Sequence, residues 1–138
     1  MIIESIIERN VMTIDENSTA LEAAELMTKH HIGSLIVTGR MGFRGLFTER
    51  DLMMDVVGED KDPSSTRIAD IVREDFARVT PQDSADHCLD LMKEHRCRHL
   101  LVFDGEGFVG LVSLRDMVVL LLDEKEQLIA SLKEYISA

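Results

Sequence analysis

The chain repeats itself, and that constrains its fold more than any other feature. Displacing the sequence by 65 positions aligns residues 3–54 with 68–119 without a gap. Identities fall at Ile3/Ile68, Ile6/Ile71, Ala20/Ala85, Leu26/Leu91, Met27/Met92, His30/His95 and Leu35/Leu100, and continue through Val37/Val102, Gly42/Gly107, Phe43/Phe108, Gly45/Gly110, Leu46/Leu111, Arg50/Arg115 and Asp51/Asp116. Glycines, apolar residues and an Arg-Asp pair do not stay in register over fifty residues by chance. The same supersecondary unit must occur twice. A chain of 138 residues then forms one compact domain or two small subdomains around a shared core.

Each copy reads as the same series of elements. A short apolar segment (11–14, 76–79) precedes a helix start. Thr19 stands three residues before Glu22 in a capping-box spacing, and Ser84 occupies the equivalent place. Apolar residues then recur at helical steps: Ala20, Ala23, Ala24 and Met27 in one copy, Ala85, Leu89 and Met92 in the other. A buried strand (34–38, 99–103) leads through a glycine-bearing turn into a return strand (43–47, 108–112), which predicts a hairpin. A second helix opens at Thr48 and at Ser113. The polar linker spans 58–66 and contains Gly58 and Pro63. After the second copy the helical pattern runs on to residue 136, with Leu121, Leu128, Leu132 and Tyr135 on one spacing. So small a domain does not cover such a face, which predicts packing on a partner subunit or on the other repeat.

Composition excludes several classes. Hydrophobic residues make up 45% and charged residues 30%, as in a folded domain. A net charge of −11 opposes nucleic-acid binding, since phosphates need a basic surface. It also means that an anionic ligand needs local cations, backbone N–H groups or a metal ion masking its charge. The apolar run 117–122 is too short to cross a membrane, and the acidic N-terminus does not read as a signal peptide. Cys88 and Cys97 form no disulfide framework, which fits a reducing cytoplasm. Nucleophile-elbow, phosphate-loop and zinc-protease motifs are missing, so a catalytic role is not expected.

The chemistry concentrates where the second helix of each copy begins: Gly45-Leu46-Phe47-Thr48-Glu49-Arg50-Asp51 and Gly110-Leu111-Val112-Ser113-Leu114-Arg115-Asp116. Thr48/Asp51 and Ser113/Asp116 read as helix caps with an acid at the third position. They also read as a binding segment. A helix N-terminus favours phosphate, a carboxylate accepts two hydrogen bonds from a vicinal diol, and the glycine keeps bulk out of a cleft. Both readings hold together.

These segments, and the repeat that carries them over residues 2 to about 122, resemble the paired CBS domains of regulatory proteins. The resemblance implies an α/β fold of two β-α-β-β-α repeats (1–57 and 67–122) related by a pseudo-twofold axis, with an extended C-terminal helix (123–138). It implies clefts between the two repeats for AMP, ADP, ATP, NAD(H) or S-adenosylmethionine, with or without Mg2+, and no obligatory cofactor. Asp51 and Asp116 would hold ribose, with Thr48 and Ser113 beside them. Thr13, Ile14, Thr80, Ile32 and Cys97 would line the adenine slot. Arg98 and His99, at the entrance of the central strand, would reach phosphate or remain solvated, while their counterparts Gly33 and Ser34 carry no charge. Arg50 and Arg115 would reach phosphate or pair with local acids. The two sites are therefore unequal. The same resemblance implies a homodimer and an effector protein that reads the ligand-bound state. Two other readings stay open: a structural dimerisation module with vestigial sites, and a metal- or redox-responsive protein built on Cys97, with His95 and His99 alternating around it.

Overall fold

A computed structural model of the chain describes residues 1–137 and divides it into two compact units. One unit comprises residues 10–76. The other comprises residues 1–9 together with the described chain from 77 onward. Each has the helix and three-stranded sheet expected of one repeat, so the fold is mixed α/β with two equivalent bodies and a long final helix.

In the 10–76 unit, β1 (Thr13–Asp15) pairs in parallel with β2 (Ser34–Gly39), which pairs antiparallel with β3 (Gly42–Thr48). Helix α1 (Ala20–His30) crosses between β1 and β2. Thr19 caps it by accepting the Glu22 N–H, as its spacing predicted. Ala20, Ala23 and Met27 form its buried stripe. Helix α2 (Glu49–Asp51) continues into a π-helical turn, Leu52–Val57, and ends at Gly58. Ile14, Leu35, Val37, Phe47 and Ile68 complete the core with the α1 face.

The other unit repeats this order: β4 (Arg78–Val79), α3 (Ala85–His95), β5 (His99–Asp104), β6 (Gly107–Ser113) and α4 (Leu114–Ser137). Ser84 accepts the His87 N–H at the start of α3. The hairpins match down to the irregularity that follows Val37 in one and Val102 in the other. Helix α4 buries Met117 and Leu120 near its start, whereas Leu122, Leu128, Leu132 and Tyr135 are exposed.

Both first helices stop at a side-chain-bearing residue in the left-handed region, His31 (φ 52°) and Arg96 (φ 52°). The Ile32 N–H donates to Met27 O at 3.0 Å and the Cys97 N–H to Met92 O at 3.0 Å, which closes a Schellman turn in each copy. The turn breaks the extended path on which His95, Cys97 and His99 would share one face, and the metal-ligating reading of that alternation is corrected accordingly. Among the described residues no cluster of three or more His, Cys, Asp and Glu side chains could hold a metal ion.

The sequence repeats and the compact units divide the chain at different points. The leader of each repeat packs with the body of the other. Ile3 is completely buried in the core with Val79, Cys88, Leu100 and Met117; Ile68 is completely buried with Ala23, Leu35 and Phe47. Backbone bonds fix both in the same way. The Ile3 N–H donates to Asp83 O at 3.0 Å, and the Ile68 N–H donates to Ser18 O at 2.9 Å. Further along each leader, Glu8 bridges Leu111 and Arg73 bridges Leu46.

Candidate ligand-binding site

The Gly-to-Asp segments occupy equivalent stations in the two units, at the end of β3 and of β6. Their glycines have a different role from the one expected. A Cβ on Gly45 would lie 2.6 Å from Val72 Cγ2 and 2.8 Å from Arg73 O. On Gly110 it would strike Glu8 O. The missing side chain therefore admits the leader backbone against the sheet, and the cleft-clearing role is corrected.

Thr48 caps α2 with a complete capping box. Its Oγ1 accepts the Asp51 N–H at 3.3 Å, and Asp51 Oδ2 accepts the Thr48 N–H at 2.9 Å. The Thr48 hydroxyl also lies 3.0 Å from the same Oδ2. The Asp51 side chain is buried, with 8% of the residue exposed, and Oδ1 faces Arg73 Nε at 3.5 Å. Arg73 Nη2 lies 3.5 Å from Asp55 Oδ2. In the other unit Ser113 Oγ accepts the Asp116 N–H at 3.1 Å, but the reciprocal carboxylate bond is absent among the described residues. Asp116 is half-buried there.

Other backbone donors are also engaged. The Glu49 N–H donates to Gly33 O at 2.9 Å and the Leu114 N–H to Arg98 O at 2.8 Å. With the third-position N–H groups held by the hydroxyls, two of the first three donors at each helix start are already satisfied. The unpaired helix-end seat expected for phosphate is smaller than an uncapped terminus would offer.

The structure brings some candidates together and separates others. His99 lies directly across the ladder from Ser113, with Arg98 exposed beside it. Arg50 and Arg115 are exposed on the second helices, and Arg50 Nε lies 3.5 Å from Met54 Sδ. Thr13 lies on the far edge of its sheet, since it registers with Ile36 and Ile36 with Leu46. Ile14 belongs to the core of its unit, and Ile32 packs against that core. Cys97 packs against the other core, and burial pushes its thiol up from the usual range. Thr80 falls just beyond β4, where its N–H donates to Asp83 Oδ2 at 2.8 Å in a turn. Sequence reasoning overlooked Arg73 and Asp55. The 65-residue register that pairs Thr48 with Ser113 also pairs Arg73 with Glu8 and Asp55 with Leu120. That contrast lies in the sequence itself.

No helix among the described residues is long and apolar enough to cross a membrane. The family model for the CBS domain matches residues 3–58 and again 68–123. A mitochondrial CBS domain-containing protein of Arabidopsis thaliana, CBSX3, is 30% identical over 125 residues, which cover 87% of this chain and 61% of that protein. The structure of a signal-transduction CBS-domain protein from Burkholderia ambifaria superposes with a TM-score of 0.78 at 36% identity, covering 83% of this chain and 85% of that one. Hypoxic Response Protein I, solved with two coordinated zinc ions, shares the fold at a TM-score of 0.72 and 24% identity, with 86% of this chain and 97% of that chain covered. With two matched copies, leaders and cores in register, and solved relatives of the same architecture, the chain belongs to the CBS-domain family and carries a tandem pair.

Proposed function

We propose that this CBS pair is a non-catalytic sensor of adenosine-containing ligands, with Asp51 and Asp116 as the ribose acceptors and Thr48 and Ser113 beside them. One observation carries this reading. Both units hold an aspartate at the same station after a hydroxyl cap, yet in the second unit the cap operates through the Ser113 hydroxyl without the Asp116 carboxylate. The acid adds a favourable charge at the helix start but closes no capping box, which leaves its oxygens for the two donors of a ribose diol. Arg98 and His99, at the start of the strand that pairs with Ser113, would contact phosphate, alone or with Mg2+. The exposed apolar face of α4, including Leu128, Leu132 and Tyr135, supports association of two chains. An effector protein reads the ligand state, and the compartment is the reducing cytoplasm, in keeping with two free cysteines.

Calorimetric and thermal-shift titration with AMP, ADP, ATP, NADH and S-adenosylmethionine, each with and without Mg2+, tests the reading. At a free concentration of 100 times Kd, one site should stabilise the fold by about 2.7 kcal/mol. The double variant Asp51→Ala plus Asp116→Ala should lose that shift. Absence of a shift with all five compounds, or its survival in the double variant, defeats the assignment.

A further inference from the structure

We propose that Arg73 is a specificity-determining residue of the Asp51 site: it rests on the carboxylate until a ligand phosphate takes it over, so this site prefers phosphorylated adenosyl compounds to unphosphorylated ones. The proposal rests on the ribose assignment above. Asp51 Oδ2 already accepts from the Thr48 N–H at 2.9 Å and lies 3.0 Å from the Thr48 hydroxyl. Oδ1 is the oxygen left for a ribose hydroxyl, and it is the oxygen that Arg73 faces at 3.5 Å. A diol arriving at Asp51 must therefore compete with the guanidinium.

The competitor is loosely held and firmly rooted. Both of its ion pairs are 3.5 Å long, and its side chain is 56% exposed, so moving the guanidinium costs little. Its backbone, however, bridges Leu46 and lies in close approach to Gly45. The displaced guanidinium thus stays beside the site. A bound phosphate gives it a bidentate, charge-assisted partner in place of the carboxylate it has lost. Adenosine gives it none. Selectivity follows from what happens to one cation after the ribose has bound.

The second unit lacks this device. The residue at the same backbone station is Glu8, whose N–H donates to Leu111 O at 2.8 Å and whose carbonyl accepts the Leu111 N–H at 3.0 Å. Asp55 is matched there by Leu120. Arg73 and Asp55 change together between the copies, while Asp51 is kept as Asp116.

The test uses the full chain carrying Asp116→Ala, so that calorimetry reads the Asp51 site, with adenosine and AMP as the probes. Arg73→Ala should tighten adenosine by about threefold, the scale of a surface ion pair removed as a competitor. It should weaken AMP by about tenfold, the low end for a hydrogen bond to a charged group. Arg73→Lys, which keeps the charge but loses the fork, should fall between. Because Arg73 is exposed, both variants should keep the parent's circular dichroism. Equal shifts for the two probes, or none for either, overturn the role of Arg73 provided that Asp51→Ala still abolishes binding. If the Asp116→Ala protein binds neither probe, or if Asp51→Ala retains binding, the ribose assignment fails and this proposal fails with it.

Discussion

The exchange of leaders between repeats can be tested by deleting three carbons. Ile3 and Ile68 are fully buried, each in the core of the unit that holds the other repeat's sheet. Ile→Ala removes three methyl or methylene groups at about 0.8 kcal/mol each. The cavity left behind raises the total to about 3–4 kcal/mol, within the usual range for such substitutions. For a chain of this size that corresponds to a fall of roughly 10 °C in Tm. Magnitude alone would not establish the exchange, because any buried isoleucine behaves so. Location would. Ile3→Ala should loosen the segments that pack on Ile3, so native-state hydrogen exchange should rise in α3 and β5 before it rises in α1 and β2. Ile68→Ala should do the reverse. Deleting residues 1–9 should reproduce the Ile3→Ala pattern in stronger form. If Ile3→Ala instead exposes α1 and β2 while α3 keeps its protection, each leader folds with its own repeat and the division into units given above is wrong.

Three further outcomes follow from the same geometry. Gly45→Ala and Gly110→Ala should each cost about 2–3 kcal/mol in denaturant unfolding, because the added methyl meets leader backbone that cannot turn aside; a cost below a few tenths would show that the close approach is not required. His31→Gly and Arg96→Gly should each raise stability by about 0.5–1 kcal/mol, as relief of a left-handed side chain outweighs the added flexibility of glycine; a loss at both positions would mean that the side chains have work of their own. Burial pushes the Cys88 thiol from 9.0 to about 11, with Asp83 adding to the effect, so native protein at pH 8 should resist alkylation at this position. The folded state holds the proton more tightly than the unfolded chain. Its contribution to stability is therefore full below pH 9.0 and is lost as pH rises towards about 11, and Cys88→Ser should flatten that part of the pH profile. Alkylation of Cys88 at the rate of an unfolded control would contradict the burial argument.

Local features of the fold were legible in the sequence because local physics decides them. Thr19 and Ser84 cap because a hydroxyl can reach the third N–H of its own helix. The hairpins form because a two-residue turn joins adjacent strands in each copy. The helix ends were less legible. A search for glycine looks past His31 and Arg96, where the Schellman bonds and the apolar packing of Ile32 and Cys97 hold an ordinary residue in a left-handed backbone. The site was half legible for a different reason. Thr48, Asp51, Ser113 and Asp116 lie within single segments, so spacing alone brings each pair together. Arg73 lies twenty-two residues beyond Asp51, in what the sequence presents as the start of the other copy.

Repeat logic assigns a residue to the copy it is numbered with, and leader exchange breaks that assignment. Ile68 anchors the leader in the core with Leu35 and Phe47, and the backbone that follows is drawn past Gly45, so Arg73 arrives at Asp51 because of a buried isoleucine and a missing methyl group. Electrostatic attraction does not place it there, since two long contacts of 3.5 Å made by a largely exposed guanidinium are too weak to organise a chain segment. Glu8 shows the same point from the other side: the equivalent antiparallel bridge brings an acid, not a base, to the station beside Leu111. Packing fixes where residue 8 and residue 73 stand, and the side chain at each can differ without moving the backbone. On the ribose assignment proposed above, substitution of Arg73 should therefore change what the Asp51 site binds while leaving the leader where it is.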